Sequence, residues 1–182
     1  YDFDSGEPLE DERGFLIPAG VGQLGVLLAR VDGDQPMSTF DGYLEKGESE
    51  RRLRKGVFEQ GDTWFVTRDI LRRDADGDYW FVDRAVDVLH TELGDVASRA
   101  IEDALYAHDP IRRVVVYGER EGKYDRAVAV IVPHQEPLDL AALNAFIQRL
   151  PEAERPHEVR VVKDIPLTDG FRPLKTSLRA HE

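Results

Sequence analysis

Residues 63–84, TWFVTRDILRRDADGDYWFVDR, predict a β-hairpin that carries more charge than a plain hairpin needs. Two apolar, aromatic-rich runs are joined by DADGD, whose Asp-Gly pair is typical of a tight hairpin turn. Asp69 lies between two apolar runs, and Arg84 follows the last one. Because residues near the same end of paired strands converge, the two side chains form either a cross-strand ion pair or a site for neighbouring hydroxyls, as on a ribose. Spacing alone favours the ion pair but leaves the second interpretation open.

Upstream of the hairpin the pattern predicts two further elements. Residues 25–31 are an aliphatic run that predicts a buried strand. Residues 48–58, ESERRLRKGVF, predict a short helix that Gly56 ends, with the basic side chains on a solvated face.

Downstream of residue 88 the pattern changes to that of a compact α+β unit. VASRAIEDALYAH has helical periodicity with Asp95 as its N-cap, and RRVVVYG and RAVAVIVP are β-branched runs typical of buried strands. LDLAALNAFIQRL predicts a second helix, EVRVVKDI a further strand, and the tail a short final helix. The predicted order is α-β-β-α-β, and the boundary between the two parts falls within residues 84–87.

The bulk composition narrows the function classes. The 182 residues allow one large domain or two small ones, and the net charge of −12 argues against nucleic acid or an anionic membrane as the main partner. No apolar run reaches the roughly 18–20 residues that span a bilayer, and the acidic first residues are unlike a signal peptide. The absence of cysteine excludes a thiol nucleophile and is consistent with a cytoplasmic protein.

Metal and phosphate motifs do not match this sequence. The DADGD turn alternates acids as an EF-hand loop does, but counting from Asp74 places Tyr79 at the glycine position and Ala85 at the final glutamate position. The five histidines are scattered, and neither a G-x-S-x-G elbow nor a G-x-x-x-x-G-K-[ST] loop occurs. We therefore predict no metal site in this chain.

Taken in order, WFVTRD, DADGDYWFVDRAVD, a loop and IEDAL resemble the adenylate-forming ligases, which include acyl-CoA synthetases, luciferases and nonribosomal adenylation domains. FDGYLEKGESERRLRKGVFEQGDTWFVTRD is similar to the fatty-acid-transport-protein, or very-long-chain acyl-CoA synthetase, branch. This resemblance runs from about residue 20 to the C-terminus. It implies that residues 1–83 end a large, β-rich N-terminal adenylation domain, that residues 84–87 form a hinge, and that residues 88–182 form a small, mobile α+β lid domain.

The resemblance also implies a two-step reaction. A small-molecule carboxylic acid attacks the α-phosphate of ATP to give an acyl-adenylate and pyrophosphate, and the thiol of CoA then displaces AMP. ATP acts with Mg²⁺, whose site we expect outside this stretch. The family's phosphate loop is also missing, so the fragment alone is expected to be inactive and to depend on the N-terminal domain of the same protein. The expected location is cytoplasmic, with peripheral membrane contact as an alternative.

Site residues follow from the resemblance position by position. Asp69 and Arg84 would bind the ribose of the adenylate, and Val86 and Asp87 would belong to the hinge. The loop that lines the CoA tunnel would contain Glu92, Leu93 and Gly94. Arg172 occupies the position of the catalytic lysine near the C-terminus, and Lys175 is the alternative if that loop shifts.

Three positions depart from the family pattern. Arg68 replaces the glycine of T-G-D, Leu93 replaces the glycine of the CoA loop with Gly94 one place late, and Arg172 replaces the lysine. Arginine's planar fork is not interchangeable with a compact ammonium, so we expect Arg172 to weaken adenylation. Because Leu93 could obstruct the path of CoA, we also expect slow transfer to CoA. The departures also leave open a catalytically silent relative that binds nucleotide, acyl-adenylate or protein. A third hypothesis is an unrelated α+β interaction module.

Overall fold

The chain folds into two compact units, Tyr1–Val86 and Asp87–Glu182. The structure is a computed structural model that describes residues 1–2, 5–31, 52–170 and 172–179. Its mixture of sheets and short helices confirms the predicted α+β class. The division between the units lies inside residues 84–87, the segment predicted as a hinge.

The first unit is built on an antiparallel sheet whose central strand is long. Its strands are β1 (Leu24–Arg30), β2 (Leu53–Lys55), β3 (Thr63–Arg73) and β4 (Tyr79–Arg84). One edge of β3 pairs with β1, and the other edge pairs first with β2 and then with β4. The predicted hairpin is therefore β3–β4, and Ile70 at its centre is fully buried.

The predicted helix over residues 48–58 is wrong from Leu53 onward. Residues 48–51 lie outside the described part of the chain, Arg52 is helical, and Leu53–Lys55 form strand β2. These residues pair with the start of β3, which offers a row of backbone groups. Gly56 then turns the chain with a φ of 66°. Because sheet pairing satisfies the backbone here, the tertiary context overrides helix propensity.

The second unit opens with a hairpin and continues in the predicted order. Its elements are β5 (Val88–Thr91), β6 (Gly94–Ala97), α1 (Ser98–Tyr106), β7 (Ile111–Glu121), β8 (Tyr124–Pro133), α2 (Leu140–Ile147), β9 (Glu158–Val161) and α3 (Lys175–Arg179). The sheet order is β7-β8-β9, with β7 antiparallel and β9 parallel to β8. The α-β-β-α-β order and the final helix are confirmed.

The hairpin β5–β6 was not predicted, and the N-cap assignment was wrong. Helix α1 begins at Ser98 after Ala97, whose side chain makes no capping hydrogen bond. Asp95 lies in β6 instead, directly opposite His90. The Asp95 carboxylate therefore pairs with His90 across the hairpin and does not cap helix α1.

Both faces of the β7-β8-β9 sheet are covered, so its strands read as continuous apolar runs. Val114 and Val116 pack with residues of α1 and α2, whereas Val115 and Tyr117 pack with Ile165 and the C-terminal segment. The free edge of β7 is covered by side chains of α1. Tyr106 Oη accepts from the Val114 amide at 3.2 Å, and Glu102 Oε1 accepts from the Val116 amide at 2.8 Å.

None of the helices in the described residues combines the length and the apolar character needed to cross a lipid bilayer.

Candidate functional site: a carboxylate–guanidinium pair beside a β-bulge

The structure places Asp69 and Arg84 directly opposite each other on β3 and β4. Directly paired residues of antiparallel strands project from the same face, and Arg84 Nε lies 4.0 Å from Asp69 Oδ1. This distance is too long for a hydrogen bond. Their side chains are 40% and 46% exposed for Asp69 and Arg84, respectively. Both groups therefore form a loose ion pair that retains hydrogen-bonding capacity for a ligand.

A β-bulge sets the direction of Asp69. Three residues of β3, Thr67 to Asp69, lie opposite the single residue Leu27 of β1. Thr67 Oγ1 donates to the Leu27 carbonyl at 2.9 Å and accepts from the Asp69 amide at 3.0 Å. Arg52 Nη1 also donates to the Thr67 carbonyl at 3.1 Å. A bulge changes the direction of the side chains around it, and the hydrogen bonds of Thr67 hold this bulge in place.

Arg68 keeps the backbone shape expected of the glycine it replaces. Its φ is 66°, and within the described ranges it is the one residue other than glycine with a positive φ. This left-handed conformation costs a residue with a Cβ about 1–2 kcal/mol. The Arg68 side chain is exposed and lines a cavity of about 420 Å³ that Arg54, Ala85 and Val86 also line. The departure from T-G-D therefore adds a cation at a position whose backbone has the left-handed conformation that glycine favours.

Two further aspartates, which sequence analysis did not identify, fix the ends of β3. Asp62 accepts from the amides of Val57, Phe58 and Glu59 at 2.6–3.1 Å and from Trp64 Nε1 at 2.9 Å. Burial raises the pKa of Asp62, but these hydrogen bonds outweigh it and lower the pKa to about 2. The signal available in the sequence was an aspartate two residues before a tryptophan, in GDTW.

Asp74 fixes the other end of β3 in the same way, by accepting hydrogen bonds within the hairpin turn. Its carboxylate accepts from the amides of Asp76 and Asp78 and from Trp80 Nε1 at 2.7 Å. The hydrogen bond from Trp80 is the largest cause that lowers the pKa of Asp74. The acidic DADGD turn thus uses its first carboxylate to close the turn. In the part of the chain that the structure describes, no three acidic or histidine side chains cluster as metal ligands.

The residues predicted to form a hinge differ in their surroundings. Ala85–Asp87 form a short 3-10 turn in which Val86 is 67% exposed. The Asp87 side chain is only 17% exposed, and Lys175 Nζ lies 3.2 Å from its Oδ1. Lys175 also donates to Ser98 Oγ at 2.9 Å.

Arg172 stands on an outward-facing turn. The Thr168 amide donates to the Arg172 carbonyl at 2.8 Å, and the Arg172 amide donates to Thr168 Oγ1 at 3.1 Å. Leu167 and Pro173 form a β-bridge on either side of this turn. The Arg172 side chain is exposed, in contrast to that of Lys175.

The predicted CoA loop is the turn of hairpin β5–β6. Thr91 pairs with Gly94, so Glu92 and Leu93 are the two turn residues. Thr91 Oγ1 donates to the Gly94 carbonyl at 2.8 Å and accepts from the Leu93 amide at 3.2 Å. Gly94 has a φ of 110°, which explains why the glycine stands at this position in the turn. Leu93 is 60% exposed at the tip.

The comparisons identify the class of protein. Residues 100–171 match the model of the AMP-binding enzyme C-terminal domain family. The fold of the chain also matches the structure of the amide bond synthetase McbA from Marinactinospora thermotolerans, with a TM-score of 0.70 and 27% identity over 94% of this chain and 33% of that one. Residues 100–171 thus belong to the AMP-binding enzyme C-terminal domain family, and the predicted resemblance to adenylate-forming enzymes is confirmed.

Among relatives, the chain is most informatively compared with two fatty-acid proteins. It is 34% identical to the medium/long-chain-fatty-acid–CoA ligase FadD6 of Mycobacterium tuberculosis, over 98% of this chain and 30% of that protein. It is 33% identical to the human long-chain fatty acid transport protein 5, over 98% of this chain and 26% of that protein. The chain thus spans less than a third of the length of these curated relatives. An unrelated interaction module, the third hypothesis, is contradicted.

Proposed function

We propose that this chain is the C-terminal part of an acyl-activating ligase that converts a fatty acid, ATP and CoA to acyl-CoA, AMP and pyrophosphate. The observation that carries the proposal is the Asp69–Arg84 pair, held on one face of a hairpin by the bulge at Arg68. The similarity to a fatty-acid–CoA ligase over nearly the whole chain supports the substrate class.

In this proposal the pair holds the ribose of the acyl-adenylate. The Asp69 carboxylate accepts hydrogen bonds from two neighbouring hydroxyls, and Arg84 donates to the sugar oxygens from the opposite strand. Each charge-assisted hydrogen bond contributes about 1.5–3 kcal/mol once water is excluded. Holding the sugar fixes the α-phosphate relative to the attacking carboxylate, and positioning of this kind is a principal source of rate.

The second unit would act as the lid. Arg172 is the better candidate for the cation that approaches phosphate, because its side chain is exposed on a closed turn while Lys175 is engaged by Asp87 and Ser98. A guanidinium there stabilises the charge that develops on phosphate oxygens. The turn Glu92–Gly94 would guide CoA, with Leu93 narrowing its path and slowing the transfer.

The proposed partners are those of the whole enzyme. They are a carboxylic acid, ATP and CoA, together with the N-terminal domain of the same protein. The described residues offer no set of ligands for Mg²⁺, so we assign none of them to it and expect ATP-bound magnesium to be held elsewhere in the parent protein. We expect a cytoplasmic location, with peripheral membrane contact as the alternative, and inactivity of this stretch by itself.

The test is acid-dependent ATP–pyrophosphate exchange by the full-length protein. We expect exchange with medium- or long-chain fatty acids, and a KM for ATP that rises about tenfold or more in Asp69→Asn because a charge-assisted hydrogen bond is lost. Asp78→Asn, in the exposed hairpin turn, is the matched control and should leave the KM unchanged. A lack of exchange across a broad panel of acids would count decisively against an acyl-activating enzyme.

The second candidate is a relative that binds acyl-adenylate or nucleotide without catalysis. The observation that favours it is Arg172 at the position where a catalytic lysine is expected. It predicts binding of a non-hydrolysable acyl-adenylate analogue that Asp69→Asn weakens, in the absence of any exchange. Calorimetric titration of the full-length protein with such an analogue separates the two candidates.

A further inference from the structure

Lys175 lies in a polar cluster that links three separate segments of the second unit. Its ammonium contacts the Asp87 carboxylate at 3.2 Å, Ser98 Oγ at 2.9 Å and Glu102 Oε1 at 3.8 Å. Asp87 is the first residue of the unit, Ser98 begins α1, and Lys175 begins α3. An ammonium has three hydrogen-bond donors, and the Lys175 ammonium contacts three oxygens from two other segments.

The cluster is sheltered and rigidly supported. The side chains of Lys175, Asp87 and Glu102 are each about 20% exposed, and Ser98 is buried. Glu102 Oε1 also accepts from the Val116 amide at the edge of β7, so the cluster is tied to the central sheet. Reduced exposure strengthens an ion pair relative to one on the open surface. Lys175 is therefore not a free surface cation.

We propose that Lys175 is a positioning residue that fixes the hinge carboxylate Asp87 to the body of the second unit. The proposal rests on the proposed function only in assigning a hinge to residues 84–87. With its side chain held, Asp87 moves as part of the second unit, so that any change of domain orientation is confined to Ala85 and exposed Val86. The lysine thus sets where the chain swivels, rather than meeting phosphate.

The direct test is hydrogen exchange of backbone amides in the full-length protein without substrates. In Lys175→Met, we expect the peptide that contains residues 85–91 to exchange about tenfold faster, because a sheltered charge-assisted contact is lost. Asp87→Asn should produce the same change in this peptide. The double variant should add nothing further, because both substitutions remove the same Lys175–Asp87 contact. Lys163→Met, an exposed lysine of the same unit, should leave this peptide unchanged.

An unchanged exchange rate in Lys175→Met, or additive effects in the double variant, overturns the proposal. Asp87→Asn and Ser98→Ala provide independent variants if the lysine substitution unfolds the unit. Because no substrate is present, this result is independent of whether the protein adenylates any acid. A failure of the proposed function would appear in pyrophosphate exchange and leave the hydrogen-exchange result standing.

Kinetics give a second readout that a purely structural lysine would not affect in this way. A shifted pivot should lower kcat of adenylation and of CoA transfer by similar factors, with the KM for ATP unchanged, because both steps need a defined domain orientation. A loss confined to adenylation, with a raised KM for ATP, would instead identify Lys175 as the phosphate-facing cation and overturn the proposal.

Discussion

Asp62 shows how a single carboxylate sets the start of the central strand. It gathers three amides and an indole N–H, so Asp62→Asn should lower the melting temperature of the chain by several degrees through the loss of charge-assisted hydrogen bonds. The matched control is Asp76→Asn in the exposed hairpin turn. Thermal unfolding followed by circular dichroism measures both, and equal melting temperatures for Asp62→Asn and the wild type would contradict this role.

The same carboxylate predicts a pH dependence. The pKa of Asp62 is lowered from 3.8 to about 2 in the folded chain. A group with a depressed folded pKa stabilises fully above its unfolded pKa and loses that contribution as the pH falls through the folded value. The difference in melting temperature between wild type and Asp62→Asn should therefore be constant above about pH 5 and shrink between pH 4 and pH 2.

Arg172 and Lys175 are distinguished by their surroundings. Arg172 is exposed beside the Thr168 turn, so Arg172→Ala should lower ATP–pyrophosphate exchange by the full-length protein about 100-fold, the usual effect of removing a group that stabilises transition-state charge. Arg172→Lys restores the residue type expected at this position, so it should reach or exceed the wild-type rate, because the guanidinium fork is not interchangeable with a compact ammonium. An unaltered rate in Arg172→Ala would show that this arginine takes no part in adenylation.

For individual residues, the sequence predicted contacts within one hairpin and missed contacts between distant segments. The Asp-Gly turn places Asp69 and Arg84 near the same end of the hairpin, so their proximity was foreseeable. Their direct pairing was not, because it depends on a register shift between Ile70 and Leu71 that the turn and the strand alternation do not predict. The positive φ of Arg68 was not foreseeable, because residues other than glycine seldom adopt it without bonds such as those that hold Thr67. The Lys175–Asp87 contact joins residues far apart in sequence and leaves no periodic signal.

Among the elements, short segments depended on their neighbours more than on their own residues. Leu53–Lys55 and the hairpin β5–β6 are only three or four residues per strand, too short for periodicity to appear. The long runs of β7 and β8 and the amphipathic helices α1 and α2 were predicted because burial imposes a pattern over several turns or pleats. Element length, therefore, limited what the sequence revealed.

The turn of β5–β6 allows a test of the proposed CoA path. Leu93 does not have a positive φ, so Leu93→Gly is tolerated by the turn and removes an exposed side chain from the proposed CoA path. We expect acyl-CoA formation by the full-length protein to accelerate severalfold while pyrophosphate exchange is unchanged. Glu92→Gly, in the same turn, controls for added flexibility and should not accelerate the transfer. Rapid acyl-CoA formation by the wild type would contradict the idea that Leu93 obstructs CoA.

For the whole molecule, the change of pattern near residues 84–87 predicts a β-rich first part and a small α+β second part. The pattern contains nothing about the orientation of one part relative to the other. A division of the chain between Val86 and Asp87 nevertheless makes a specific prediction about protease access.

Val86 is exposed in a 3-10 turn at the end of the first unit, whereas the equally exposed Leu93 lies in a hydrogen-bonded hairpin. Proteases cut where the backbone can leave its folded path, and this requires few hydrogen bonds to break. Brief treatment of the full-length protein with elastase, which prefers small apolar residues, should therefore release a fragment that begins at Val86 or Asp87. Mass spectrometry identifies the new terminus, and a chymotryptic cut at Leu93 should be much slower. If ATP and a fatty acid together slow the cut at residues 85–86, the segment is a hinge that substrates close. If the cut is absent, residues 84–87 are a fixed connection. If the cut occurs but is indifferent to substrates that support pyrophosphate exchange, substrates do not close this segment. Either result contradicts the lid proposal.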